Sequence, residues 1–197
     1  MSVPLIQVVL GTTRPGRFSD KVGAWLVDRL SQRDDLEVEL VDLRDHPLPI
    51  YELDVAPARG GREYETAEVR RFGEVLDRAD GYVIVTGEYN HGYSSSLKNA
   101  IDHVFPELHR KPVTFAAYGQ VGGARAVEQL RQVVVELEMA PLRHAIHILP
   151  SVLIAARQQD PFTIEAFAEL DPRLTTVTDD LVWWADALRT ARAADPH

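Results

Sequence analysis

The chain has 197 residues, 45% hydrophobic and 26% charged, which suits one sizeable core and excludes disordered, collagen-like and small disulfide-stapled chains. Its 21 Lys and Arg against 30 Asp and Glu give a formal net charge of −9, so no nucleic acid and no membrane surface is expected as a general partner. Cysteine is absent, which removes disulfides, thiolate nucleophiles and Cys-ligated metal sites. A single domain over residues 1–197 is expected, with a helical extension from about 160. No basic region precedes an apolar run at Met1–Leu5 and no stretch reaches membrane-spanning length, so the cytoplasm is the expected location.

Leu5–Leu10 is a short, β-branched apolar run stopped by Gly11, the habit of a strand buried on both faces in a parallel sheet. Val22, Trp25, Leu26 and Leu30 carry helical spacing through 18–31, and 37–43 alternates as a strand nearer an edge does. Residues 44–63, with Pro47, Pro49, Pro57 and Gly60-Gly61, predict a long loop. A helix follows at about 65–78 and a buried strand at 81–86. Beyond them come a helix at 95–105, a fourth strand at 112–118, a helix at about 123–139 and a fifth strand at 143–149. The remainder, 161–193, predicts one or two long helices. Strands alternating with helices demand right-handed crossovers and a doubly wound parallel α/β sheet.

In such a sheet ligands bind beyond the carboxyl ends of the strands, which directs attention to three loops. The first, Gly11–Asp20, offers hydroxyls at Thr12, Thr13 and Ser19, backbone amides, a helix amino terminus and the guanidinium groups of Arg14 and Arg17. Two arginines there oppose the helix dipole unless an anion compensates them; the bland alternative is a capping turn with two surface arginines. The loop is neither a Walker loop nor a Gly-x-Gly-x-x-Gly fingerprint, which favours a monophosphate over a pyrophosphate. The loop after the third strand holds Tyr89 and Tyr93, whose flat faces suit a planar heteroaromatic ring, with Asn90 for directed hydrogen bonds. Ser94–Ser96 can equally well cap the next helix.

Gly11-Thr12-Thr13-Arg14 with Arg17, then Glu88-Tyr89-Asn90-His91-Gly92-Tyr93, then Leu97-Lys98-Asn99-Ala100-Ile101-Asp102, resemble the NAD(P)H-dependent FMN reductase family over about residues 4–150. The resemblance implies a flavodoxin-like five-stranded parallel sheet of order 2-1-3-4-5 with helices on both faces. It implies FMN as cofactor, NADPH or NADH as hydride donor, and a small-molecule electron acceptor (flavin, quinone or azo compound) served by ping-pong kinetics. Gly11, Thr12, Thr13, Arg14, Arg17, Phe18 and Ser19 would form the phosphate loop. Glu88, Tyr89, Asn90, His91 and Gly92 would line the ribityl chain and ring. Tyr118, Gly119, Gly122 and Gly123 would pass the pyrimidine edge. His91 and Tyr89 are the candidates for proton delivery, and no side chain is expected to act as nucleophile. A homodimer or homotetramer is implied, because a neighbouring subunit completes the nicotinamide pocket in the family.

The sequence departs from the family pattern at Gly87, Ser94, His103 and Ala117-Tyr118. The rival reading is a non-enzymatic flavodoxin-type electron carrier, favoured by the acidic surface and opposed by the Leu97–Asp102 segment. No metal site is expected: the seven histidines lack ligand spacing, and His144 and His147 fall on opposite faces of a strand. Trp183-Trp184 reads as core packing or a subunit interface.

Overall fold

The computed structural model describes residues 3–64 and 66–194. Its sheet runs in the order β2 (Glu37–Asp42), β1 (Leu5–Leu10), β3 (Gly81–Gly87), β4 (Pro112–Tyr118), β5 (Ala140–Pro141), and β6 (Ile146–Ile148) also pairs with β4. Every pairing is parallel. This is the flavodoxin-like order, with the switch point between β1 and β3.

Strand alternation sorts the core into two layers. Ile6, Val8 and Leu10 of β1, with Val83, Val85, Ile146 and Ile148, face α1 (Ser19–Ser31), α6 (Pro150–Gln158) and α7 (Asp171–Ala194). Val9, Tyr82, Ile84, Phe115 and Ala117 face α3 (Ala67–Asp77), α4 (Ser95–Asp102) and α5 (Ala124–Glu136). A strand covered on both faces is predominantly apolar, and β3 and β4 are buried at every residue, Thr86 and Thr114 included, while the edge strand β2 is not. The long loop after β2 contains one helical turn, α2 (Pro57–Gly60).

Two predicted elements differ. The fifth strand is not continuous over 143–149. The ladder to β4 runs through the Ala140 and Leu142 N–H groups, which donate to the carbonyls of Lys111 (3.0 Å) and Val113 (2.9 Å); beyond it the Thr114 hydroxyl donates to the His144 carbonyl (2.8 Å), and pairing resumes only at Ile146. Helix α6 begins before 160, at Pro150, and only Val152 and Ala156 of its nine residues are buried, too few to print a periodic signal. Trp183 and Trp184 meet edge to face, but at 65% and 41% exposed they are not core residues.

Candidate cofactor site

Gly11 ends β1 under α4. Its N–H donates to the Val85 carbonyl (2.8 Å), and its own carbonyl accepts from the Ser94 and Ser96 hydroxyls. Ser94 simultaneously caps α4 by accepting from the Leu97 N–H (3.2 Å), so the capping residue also fastens the first loop to the third. Thr12 and Ser19 are fully buried and share a 2.8 Å hydroxyl–hydroxyl bond, while Thr13, Arg14, Pro15 and Gly16 face solvent.

The two arginines part company. The Arg17 guanidinium turns inward: Nε donates to Asp20 (2.7 Å), and Nη1 and Nη2 make a fork onto Asp42 at the end of β2, with a further bond to the Thr12 carbonyl. Carboxylates, not a bound anion, therefore answer its charge at the helix amino terminus, and its forked donors are all engaged within the protein. Burial works against both charges, yet the mutual bonds prevail. Asp42 is held down at about 2 by Arg17 and Arg44, and Arg17 is held above its ordinary value by Asp42 and Asp20. Arg14 has no carboxylate partner among the described residues; its guanidinium lies over the Tyr89 ring, 5.6 Å from the centroid. Phe18 is also turned away from the loop surface, packed edge to face on Tyr118 and Phe167.

After β3, Tyr89 and Gly92 exchange both backbone hydrogen bonds (2.8 and 2.9 Å) around Asn90 and His91, whose φ values are +49° and +69°. Two successive non-glycine residues in the left-handed region cost free energy that surrounding contacts must hold, a pattern that gathers at functional sites. Here the holding contacts come from α5. Arg125 donates through Nε to Glu88 (2.6 Å), its N–H donates to the same carboxylate (3.2 Å), its Nη1 reaches His91 Nε2 (2.8 Å), and Gln129 donates to the His91 carbonyl (3.1 Å). Since a guanidinium only donates, His91 Nε2 accepts and the ring proton is on Nδ1. Arg125 carries this turn although no spacing rule marked it as more than a neighbour of the glycines.

After β4, Gly119 to Gly123 make the third wall. Gly122 and Gly123 have φ of +65° and +73°, and a Cβ at Gly123 would come within 2.5 Å of the Ala117 Cβ, so only glycine fits. Tyr118 precedes them with its hydroxyl wholly buried and unpartnered, next to Thr12, Ser19 and Tyr89. Burial pushes that hydroxyl up to about 12, so it is a permanent O–H donor.

Among the described residues, the amides of Thr13, Arg14 and Gly16 lack hydrogen-bond partners, as does Tyr118 Oη. With the unpaired Arg14 they form a collection of donors lacking acceptors, the complement of a phosphate monoester. The residues present fit the phosphate end of FMN.

Comparison with known proteins agrees. Residues 4–152 match the family described as NADPH-dependent FMN reductase. An NAD(P)H-dependent FMN reductase of Schizosaccharomyces pombe is 32% identical over 160 residues, 80% of each chain. A quinone reductase of Escherichia coli is 36% identical over 141 residues, 68% of this chain and 71% of that protein. The flavoenzyme FerB, an NAD(P)H:(acceptor) oxidoreductase of Paracoccus denitrificans, shares the fold with a TM-score of 0.69 at 23% identity, over 94% of this chain and 98% of its own. The chain belongs to the NADPH-dependent FMN reductase family and is a flavin oxidoreductase, with FMN as cofactor and NAD(P)H as reductant.

Proposed function

We propose that the protein passes reducing equivalents from NADPH or NADH to a small acceptor of the quinone, flavin or azo class, with donor and acceptor using the strand-tip crevice in turn. The observation that carries this reading is the set of unsatisfied donors at the first loop, the amides of Thr13, Arg14 and Gly16 with the Arg14 guanidinium, beside the buried Tyr118 hydroxyl. FMN, when bound, supplies the hydride chemistry. The chain's own tasks are to bind, orient and screen. Thr12, Thr13, Ser19 and the loop amides hold the phosphate, with Arg14 as the solvent-facing cation and Arg17 fixing the loop from beneath. Glu88, Tyr89, Asn90, His91 and Gly92 form one wall, and Gly119, Gly122 and Gly123 let the backbone approach the ring edge. His91 Nε2 accepts from Arg125, so the Nδ1–H is the edge of the ring free to donate a hydrogen bond to an acceptor. Tyr89 is the other hydroxyl available there.

Initial rates against NADPH and a benzoquinone should give parallel double-reciprocal lines. Intersecting lines would overturn the alternating use of one crevice, and failure to reduce quinones, flavins and azo dyes would overturn the acceptor class. A homodimer or homotetramer belongs to the same reading; light scattering should give a multiple of 22.1 kDa, and a lone monomer would refute it. A cytoplasmic location, where nicotinamide reductant is available, belongs to the same reading.

A further inference from the structure

His147 lies in β6, opposite Ala117 of β4, one residue short of the strand tip. Its neighbours Ile146 and Ile148 are buried toward α1 and α7, so the alternation of the strand sends the imidazole to the other face, where α5 begins. There His147 Nδ1 is 3.1 Å from the Gly122 carbonyl oxygen. A carbonyl only accepts, so Nδ1 carries the proton, and the neutral ring suffices to make the bond.

The bond falls on the peptide whose direction matters most in the third wall. Within the turn, the Gly122 N–H donates to Gly119 (3.1 Å) and the Ala124 N–H to Val121 (3.3 Å), whereas the Gly123 N–H has no partner among the described residues. In a trans peptide, C=O and N–H point in opposite directions. Tying the Gly122 carbonyl to His147 therefore aims the Gly123 N–H away from β6 and toward Gly119 at the end of β4, on which a Cβ would lie 3.6 Å from that nitrogen. Both residues flanking this peptide are glycines in the left-handed region, so its direction is set by its hydrogen bonds and by the packing of Gly123 on Ala117 and not by side chains of its own.

We propose that His147 is a positioning residue: its Nδ1–H locks the Gly122–Gly123 peptide so that the Gly123 N–H faces the flavin edge and favours the reduced, more negative cofactor over the oxidised one. This rests on the flavin reading above. A fixed N–H aimed at developing negative charge in a site shielded from water favours the more negative form without reorganisation.

The test uses FMN-loaded protein. In His147→Phe, which keeps a ring but loses the donor, the preference for reduced over oxidised FMN should fall about tenfold, a midpoint potential about 30 mV more negative for a two-electron couple. The dissociation constant of oxidised FMN should move less than about twofold. His147→Asn, which restores an N–H donor near the same place, should recover most of the shift. An unchanged potential in His147→Phe overturns the proposal, as does a loss of oxidised-FMN affinity matching the loss for reduced FMN, which would mark a merely structural role. The Gly123 amide resonance in flavin-free protein should move in His147→Phe and return in His147→Asn. That arm still decides whether His147 fixes the peptide if the wild-type protein bound no FMN, a result that would instead sink the flavin reading.

Discussion

The two ends of the sheet are built from similar polar residues and put them to opposite use. At the amino ends of the strands most of the polar side chains are tied into the fold, although Gln7 Oε1 of β1 is buried without a partner. Lys111 donates to the Asp77 carbonyl (2.8 Å), Tyr82 donates to the Leu76 carbonyl (2.6 Å), and Asp80 accepts from the Leu5 N–H (3.2 Å) and Arg192 (2.9 Å). At the carboxyl ends, Tyr118 Oη is buried without a partner, Arg14 has no carboxylate, and the loop amides have no acceptor. The Tyr118 hydroxyl is a buried donor that is expensive to leave unsatisfied, while Arg14 and the amides of Thr13, Arg14 and Gly16 face solvent, so the second end, more than the first, presents donors to a partner from outside. Arg17 is the exception that belongs to the closed kind while sitting at the open end.

Arg17→Ala should therefore have the largest effect. It leaves Asp42 partly buried and stripped of its main cation, and should cost about 3–5 kcal/mol in a denaturation midpoint. If the variant instead keeps its stability and loses only FMN binding, Arg17 belongs to the open set. The closed end is tested by pH. Burial pulls the Lys111 ammonium down to about 8 from an ordinary 10.5. Between pH 8 and 10 the unfolded chain then binds more protons than the folded one, so this residue should raise stability with pH by about 2 kcal/mol. Melts of wild type and Lys111→Met should show the slope in the first and its loss in the second.

Tyr118→Phe sharpens the contrast at the open end. Removing an unpartnered hydroxyl should leave the flavin-free protein as stable or about 1 kcal/mol more so, while FMN affinity falls about tenfold. A loss of stability would show that the hydroxyl is satisfied within the fold. Arg14→Ala should be the mildest, with stability within about 0.5 kcal/mol of wild type. FMN affinity should drop by a salt-dependent factor, and riboflavin, which lacks the phosphate, should bind as before.

Much of this contrast is legible in the sequence, but not all. Leu5–Leu10, 81–86 and 112–118 announce buried parallel strands because a strand covered on both sides is mostly apolar, with Gln7, Thr86 and Thr114 the polar residues among them. The three ligand loops announce themselves because glycines and hydroxyls interrupt those runs on one edge only. The Arg14–Arg17 pair shows the limit. Both look alike in a linear reading, and a dipole argument assigns both to an anion. Which one is free depends on Asp42, 25 residues away at the end of a neighbouring strand. The same holds for Arg125 with Glu88, 37 residues apart, and for His147 with Gly122, 25 apart.

Periodicity and turn chemistry are local, so residue order alone determined the alternation of strands and helices, and its loop motifs carried the resemblance to the family. Charge and hydrogen-bond satisfaction are properties of groups brought together across the sheet by pairing of β1, β2, β3, β4 and β6. Only the tertiary structure could decide which donors those neighbours consume and which remain for a ligand.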